Sequence, residues 1–166
     1  MHAETLPDRE SCNIMAELSG SEFPNEIIAI GGHIDSWDAG TGAQDDASGC
    51  IAPWMAVKLL KDLGIQPKRT IRVVFWANEE NGVRGGNAYK DAHKNEPHAL
   101  MFEMDGGAFI PLAMRYTGPD SIFDELKKAE PLLKKIAPMT FEKRGGGVDI
   151  GPMMREGIPG MSLQTD

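Results

Sequence analysis

The sequence predicts an α/β sandwich built on a mixed sheet, and three observations carry that expectation. Short β-rich runs alternate with amphipathic stretches along the chain. One of those runs, residues 70–77 (TIRVVFWA), is a near-continuous β-branched and aromatic segment, the pattern of a strand covered on both faces and central in its sheet. The residues able to do chemistry fall directly after the predicted strands, where open α/β sheets carry their sites.

Taken in order, residues 12–18 and 26–31 read as two strands separated by Ser19, Gly20, Ser21 and Pro24, the punctuation expected between sheet neighbours. Residues 31–49 are rich in Gly, Asp and Ser without an apolar period, a long loop of the kind that tends to be functional. Ser48 then caps an amphipathic helix in which Met55, Leu59, Leu60 and Leu63 recur near helical spacing, closing at Gly64. Pro53 fits that helix only within its first turns, because proline lacks the N–H that continues the ladder. Beyond the 70–77 strand, residues 84–95 are weakly helical, and residues 98–104 form an apolar strand that runs into Asp105 and two glycines. Residues 119–136 carry Ile122, Phe123, Leu126, Ala129, Leu132, Leu133 and Ile136 at three- and four-residue steps, a helix interrupted or kinked near Pro131. A strand at 139–142, a glycine run at 145–147, a short helical piece and a last β-like stretch complete the chain, with no internal repeat.

Composition bounds the function. With 166 residues and 41% hydrophobic content the chain suits one domain with a real core. Its net charge of −8 and scattered basic residues argue against an electrostatically driven nucleic-acid binder. No segment approaches the roughly 18 consecutive apolar residues that cross a bilayer, and the N-terminus lacks a signal-peptide pattern, so neither nucleic acid nor membrane is expected as a partner. Cys12, in a predicted strand, and Cys50, at a helix start, have no CxxC spacing and read as inert packing thiols. Trp37, Trp54 and Trp76 read as packing residues, and the methionines as core filler with Met153 and Met154 the exceptions. His2, His93 and His98 have no acidic partner at ligand spacing and read as surface or strand-edge residues.

Four acidic or imidazole sites stand at successive strand ends: His33 with Asp35, Asp45 with Asp46, Glu79 with Glu80, and Asp105. Each pair alone is an ordinary solvated loop feature. Together they suit a divalent ion, because unpaired carboxylates gathered in a cleft repel one another without a cation. His33 and Asp35, two apart in an extended segment, share a side, so Asp35 can hold the imidazole by its second nitrogen. Glu79 and Glu80 leave a strand in different directions, letting one ligate while the other acts as a base. The run GTGAQDDASG is not GxGxxG, and there is no P-loop lysine, GxSxG elbow or HExxH.

The ordered set GGHIDSWDAGTGAQDDASG, PKRTIRVVFWANEENGVRGG, FEMDGG and GGGVDIGPMMREGIPG resembles the co-catalytic two-zinc exopeptidases of the aminopeptidase and glutamate carboxypeptidase family, nearest its carboxypeptidase Q-like group. The resemblance implies a three-layer αβα sandwich with a mixed, mostly parallel sheet, and a zinc-dependent exopeptidase that hydrolyses small peptides or dipeptides. It implies His33, Asp45, Glu80 and Asp105 as metal ligands, with Asp45 bridging two zinc ions. Glu79 would be the general base and Asp35 the group orienting His33. The family pattern has a further histidine ligand beyond the last strand, so one zinc site lacks its imidazole within these residues. Residues 1–166 are thus expected to be a single, partial catalytic domain, incomplete at both ends, without lid domain or signal peptide. The alternative expectation is a truncated, non-catalytic relic serving as a metal-binding or assembly module. Homo-oligomers are expected through exposed sheet edge and apolar surface, and the relatives resembled are commonly secreted, periplasmic or lysosomal.

Overall fold

The structure, a computed structural model, describes residues 4–166 and contains seven strands and five helices in those residues. The strands are β1 (Ile14–Leu18), β2 (Phe23–His33), β3 (Arg69–Trp76), β4 (His98–Glu103), β5 (Pro111–Thr117), β6 (Thr140–Lys143) and β7 (Gly160–Thr165). The helices are α1 (Ala47–Asp62), α2 (Arg84–His93), α3 (Asp120–Lys127), α4 (Glu130–Leu133) and α5 (Gly151–Arg155). One sheet holds all seven strands in the order β1-β3-β2-β4-β7-β5-β6. Its pairs are parallel except β1 with β3 and β5 with β7, so the mixed, mostly parallel sheet is present as expected.

Alternation along the strands assigns the layers. Ile27, Ala29, Val74, Trp76 and Met101 point to one face and form a core with Tyr89 of α2 and Met153 of α5. Leu100 and Phe102, the neighbours of Met101, point to the other face and pack with Phe123, Leu126 and Leu133 of α3 and α4. Gly32, alternating with Gly31, faces α1, where a Cβ would lie 2.7 Å from the Gly49 backbone. Helices therefore cover both faces, giving three layers.

Several expectations change. The first two strands are not neighbours: β3 lies between them, since β2 runs into a helical crossover that returns a parallel strand to its side. That places β3 second from the edge rather than central, although strands flank it on both sides. Residues 111–117 form an unanticipated strand, held by antiparallel pairing with the distant β7. The predicted helix over 119–136 is interrupted near Pro131 as expected, as two short helices divided at Lys128 and Ala129.

Helix α1 begins on Asp46 rather than Ser48 and tolerates Pro53 in its second turn. It presents Gly49, Cys50 and Pro53 to the sheet, while Met55, Leu59 and Leu63, expected as its core face, are 50%, 57% and 63% exposed. Cys50 is buried, but Cys12 is exposed and lies outside β1. Trp76 is a core residue, whereas Trp37 and Trp54 are exposed, and Met153 is fully buried in the core rather than an exception to it. His98 is no surface residue: it is buried, with Nε2 2.7 Å from the Tyr89 hydroxyl. His93 has an acidic partner in Glu96, 2.9 Å away, and His2 lies outside the described residues.

Candidate metal centre

Strand β2 ends on His33, which is 1% exposed. Its Nδ1 lies 3.0 Å from the main-chain carbonyl of Asp35, which accepts a hydrogen from it and turns Nε2 toward a ring of acids. Nε2 is 3.0 Å from Asp45 Oδ1, 3.4 Å from Asp105 Oδ1 and 3.9 Å from Glu79 Oε2. Burial works against a charged imidazole, yet Asp105 and Asp46 outweigh it and hold the His33 pKa up at about 10.

Asp35 orients His33 through its carbonyl; its carboxylate stands 3.6 Å from Nδ1 and does other work. Oδ1 accepts the Glu79 N–H at 2.9 Å and Oδ2 the Glu80 N–H at 3.3 Å. Asp35 thereby ties the turn after β3, which opens at Asn78 with φ of 63°, to the loop after β2. In that turn the Glu79 side chain is 14% exposed, and burial, with Asp105, Glu80 and Asp35 adding to it against His33, raises its pKa. Glu80 sits beside it with its pKa also raised.

Asp45 and Asp46 are adjacent and opposite in fate. Asp45 is solvent-facing, while Asp46 is 1% exposed and caps α1. Asp46 Oδ1 accepts the Gly49 N–H at 2.8 Å and Oδ2 the His33 N–H at 3.0 Å, so one carboxyl joins helix start to strand end. Burial pushes its pKa up to about 7. The arrangement needs Gly32, because a Cβ there would lie 2.0 Å from Asp46 Oδ2.

Ligand atoms of His33, Asp45 and Glu80 lie within 4.8 Å of one another, as do those of His33, Asp46 and Asp105. The residues expected as ligands thus lie together, with His33 common to both groups and Asp46, singled out with Asp45 but not as a ligand, in one of them. Among the described residues no Lys or Arg pairs with any of these acids, and the only ion pairs they make are those of Asp45 and Asp105 with His33. Hard oxygens with one imidazole, gathered without a balancing cation, fit a divalent metal of the zinc type.

Sequence reasoning also passed over Glu103 and Asp149, 2% and 1% exposed. Glu103 accepts the N–H groups of Val148 and Ile150, each at 2.9 Å, and fixes the loop after the glycine run. Their only sequence signal is position, since each lies beside a quoted motif residue with no alternation to mark it as buried.

Residues 13–166 match the profile of peptidase family M28. The chain is 40% identical to carboxypeptidase Q of Mus musculus over 168 aligned positions, covering all of this chain and 36% of that protein. It superposes on the crystal structure of a peptidase M28 precursor from Shewanella amazonensis with TM-score 0.86 and 36% identity, covering 93% of this chain and 36% of the other. A zinc aminopeptidase from Bacillus subtilis shares the fold, with TM-score 0.71 at 19% identity over 91% of this chain and 39% of its own. The chain spans about a third of the length of the curated relatives it matches.

Proposed function

The chain belongs to peptidase family M28, and from that premise we propose that it supplies catalytic residues of a zinc-dependent exopeptidase acting on small peptides or dipeptides. The observation that carries the reading is His33 Nε2 facing Asp45, Asp105 and Glu79 at 3.0, 3.4 and 3.9 Å with no Lys or Arg among the described residues to balance them.

In this reading His33, Asp45, Glu80 and Asp105 would hold the zinc. When bound, zinc supplies Lewis acidity that polarises the scissile carbonyl and makes water a better nucleophile at neutral pH. Glu79 is the base: half-buried, with raised proton affinity, it takes a proton from the attacking water at its carboxylate and returns it to the leaving amine. Asp35 keeps that base in reach by holding the Glu79 and Glu80 main-chain N–H groups. Asp46 holds the His33 main chain against α1.

The test is zinc per chain by elemental mass spectrometry after zinc loading and dialysis, with dipeptide hydrolysis measured in parallel. Glu79→Gln is expected to keep its zinc and lose turnover by roughly 10²–10⁴-fold, the range for a general base. His33→Ala is expected to lose zinc. Wild-type hydrolysis that survives Glu79→Gln overturns the base, and zinc unaffected by His33→Ala overturns the ligand set. Zinc bound at His33 with no hydrolysis by the wild type selects the alternative, a metal-binding or assembly module.

A further inference from the structure

Three buried acids stand around the site, and two of them are satisfied: Asp46 and Glu103 each accept two main-chain N–H groups. The third, Asp149, is 1% exposed, and neither of its carboxylate oxygens has a hydrogen-bond partner among the described residues. Its backbone is fixed on both sides. The N–H groups of Val148 and Ile150 on either side are both held by Glu103. Its own backbone abuts the first turn of α2, where a Cβ on Gly86 would lie 2.4 Å from the Asp149 carbonyl oxygen.

A buried, unpartnered carboxyl destabilises a fold by several kcal/mol if ionised, and an amide or apolar side chain of similar shape costs less. Unless it takes up a proton, compensation must come from positive charge within reach. Glu103, which holds the residues on either side of Asp149, ends β4 two residues before Asp105, so the loop sits beside the cluster. Burial, then Glu103, Glu79 and Asp35, raise the Asp149 pKa to about 8, while His33 draws it down. Among the described residues no Lys or Arg pairs with it. The position suited to offset its charge is the one where His33 and the surrounding acids would hold cations.

We propose that Asp149 is a positioning residue of the metal centre: a buried counter-charge, outside the ligand set, that costs stability in the metal-free chain and strengthens cation binding at His33. The inference rests on the metal-centre reading above. It assigns Asp149 no contact with substrate.

Asp149→Asn and Asp149→Leu separate this role from a structural one. Thermal melts with chelator present give the metal-free Tm, and competition with a chromogenic chelator gives zinc affinity. Both variants are expected to melt roughly 3–6 °C above wild type when metal-free and to bind zinc about 10–100-fold more weakly, the size of effect that outer partners of metal ligands exert. A structural side chain would instead lower the Tm. A metal-free Tm that falls in Asp149→Asn therefore overturns the proposal, and so does unchanged zinc affinity in both variants. If wild type binds zinc and His33→Ala loses it while the Asp149 variants bind normally, this inference alone fails; if wild type binds no zinc, the metal-centre reading fails with it.

Discussion

Replacing Asp46 with alanine tests how the site is built, independently of any metal. The carboxyl accepts the His33 N–H at 3.0 Å and the Gly49 N–H at 2.8 Å, both buried bonds. Alanine leaves two buried donors without acceptors, at about 1–3 kcal/mol each. Against that stands the relief of removing a carboxyl whose burial already pushes its pKa to about 7, so near neutral pH the anion is only partly favoured. The expected net loss is about 2–4 kcal/mol, of which N-cap removal alone accounts for about 1. Asp46→Asn keeps one acceptor and should lose roughly half as much. Urea unfolding of the metal-free protein, with slopes compared to confirm that the unfolded state is unchanged, reads these values. Asp46→Ala within about 0.5 kcal/mol of wild type, the range of ordinary surface changes, would refute the argument that this carboxyl joins strand end to helix start.

Two further outcomes follow from the same geometry. His98 has its pKa lowered from 6.5, first by burial and then by Arg72 and His93 against the Glu96 carbonyl and carboxylate; Tyr89 closes the network at 2.7 Å. The unfolded chain therefore binds a proton below about pH 6.5 that the folded chain resists, and stability falls with acid at up to about 1.4 kcal/mol per pH unit. His98→Gln should remove that slope when urea midpoints of the two proteins are compared between pH 5 and 7.5; equal slopes would contradict it. Asn13 extends the edge of the sheet with its side chain, accepting the Ala77 N–H at 3.0 Å and donating to the Gly85 carbonyl at 2.9 Å. Asn13→Ala should cost about 1–3 kcal/mol, and an unchanged urea midpoint would show that solvent replaces both bonds.

An apolar stripe on α1 changes meaning once its surroundings are known. Met55, Leu59 and Leu63 repeat every four residues, as a core-facing helix does, yet they face outward. The helix orientation is decided at its other end, where Gly49 and Asp46 dock against Gly32 and His33, and a Cβ on Gly49 would lie 1.8 Å from the Met104 carbonyl. Close approach of backbone to backbone outranks the burial of a few side chains. The stripe is an unpartnered surface of the described residues, consistent with a chain that spans about a third of its relatives.

By itself the sequence determined the strand-helix alternation, an α/β sandwich on a mixed sheet and the acids at successive strand ends beside His33, because periodicity and strand-end placement are local properties, while the three-layer class was implied by the family resemblance of its motifs. Strand β5 escaped it, since PLAMRYT becomes a strand through register with the distant segments β7 and β6. The division of labour at the site escaped it too. Asp45 and Asp46 are the same residue twice, and nothing local says that one faces solvent while the other is buried between helix and strand. Likewise only the packed structure turns the Asp35 carboxylate from a partner of the imidazole into the anchor of the two glutamates, and leaves the Asp149 carboxyl without a hydrogen-bond partner among the described residues. Which atoms face one another across the sheet depends on contacts between distant segments, and those are set when the layers close.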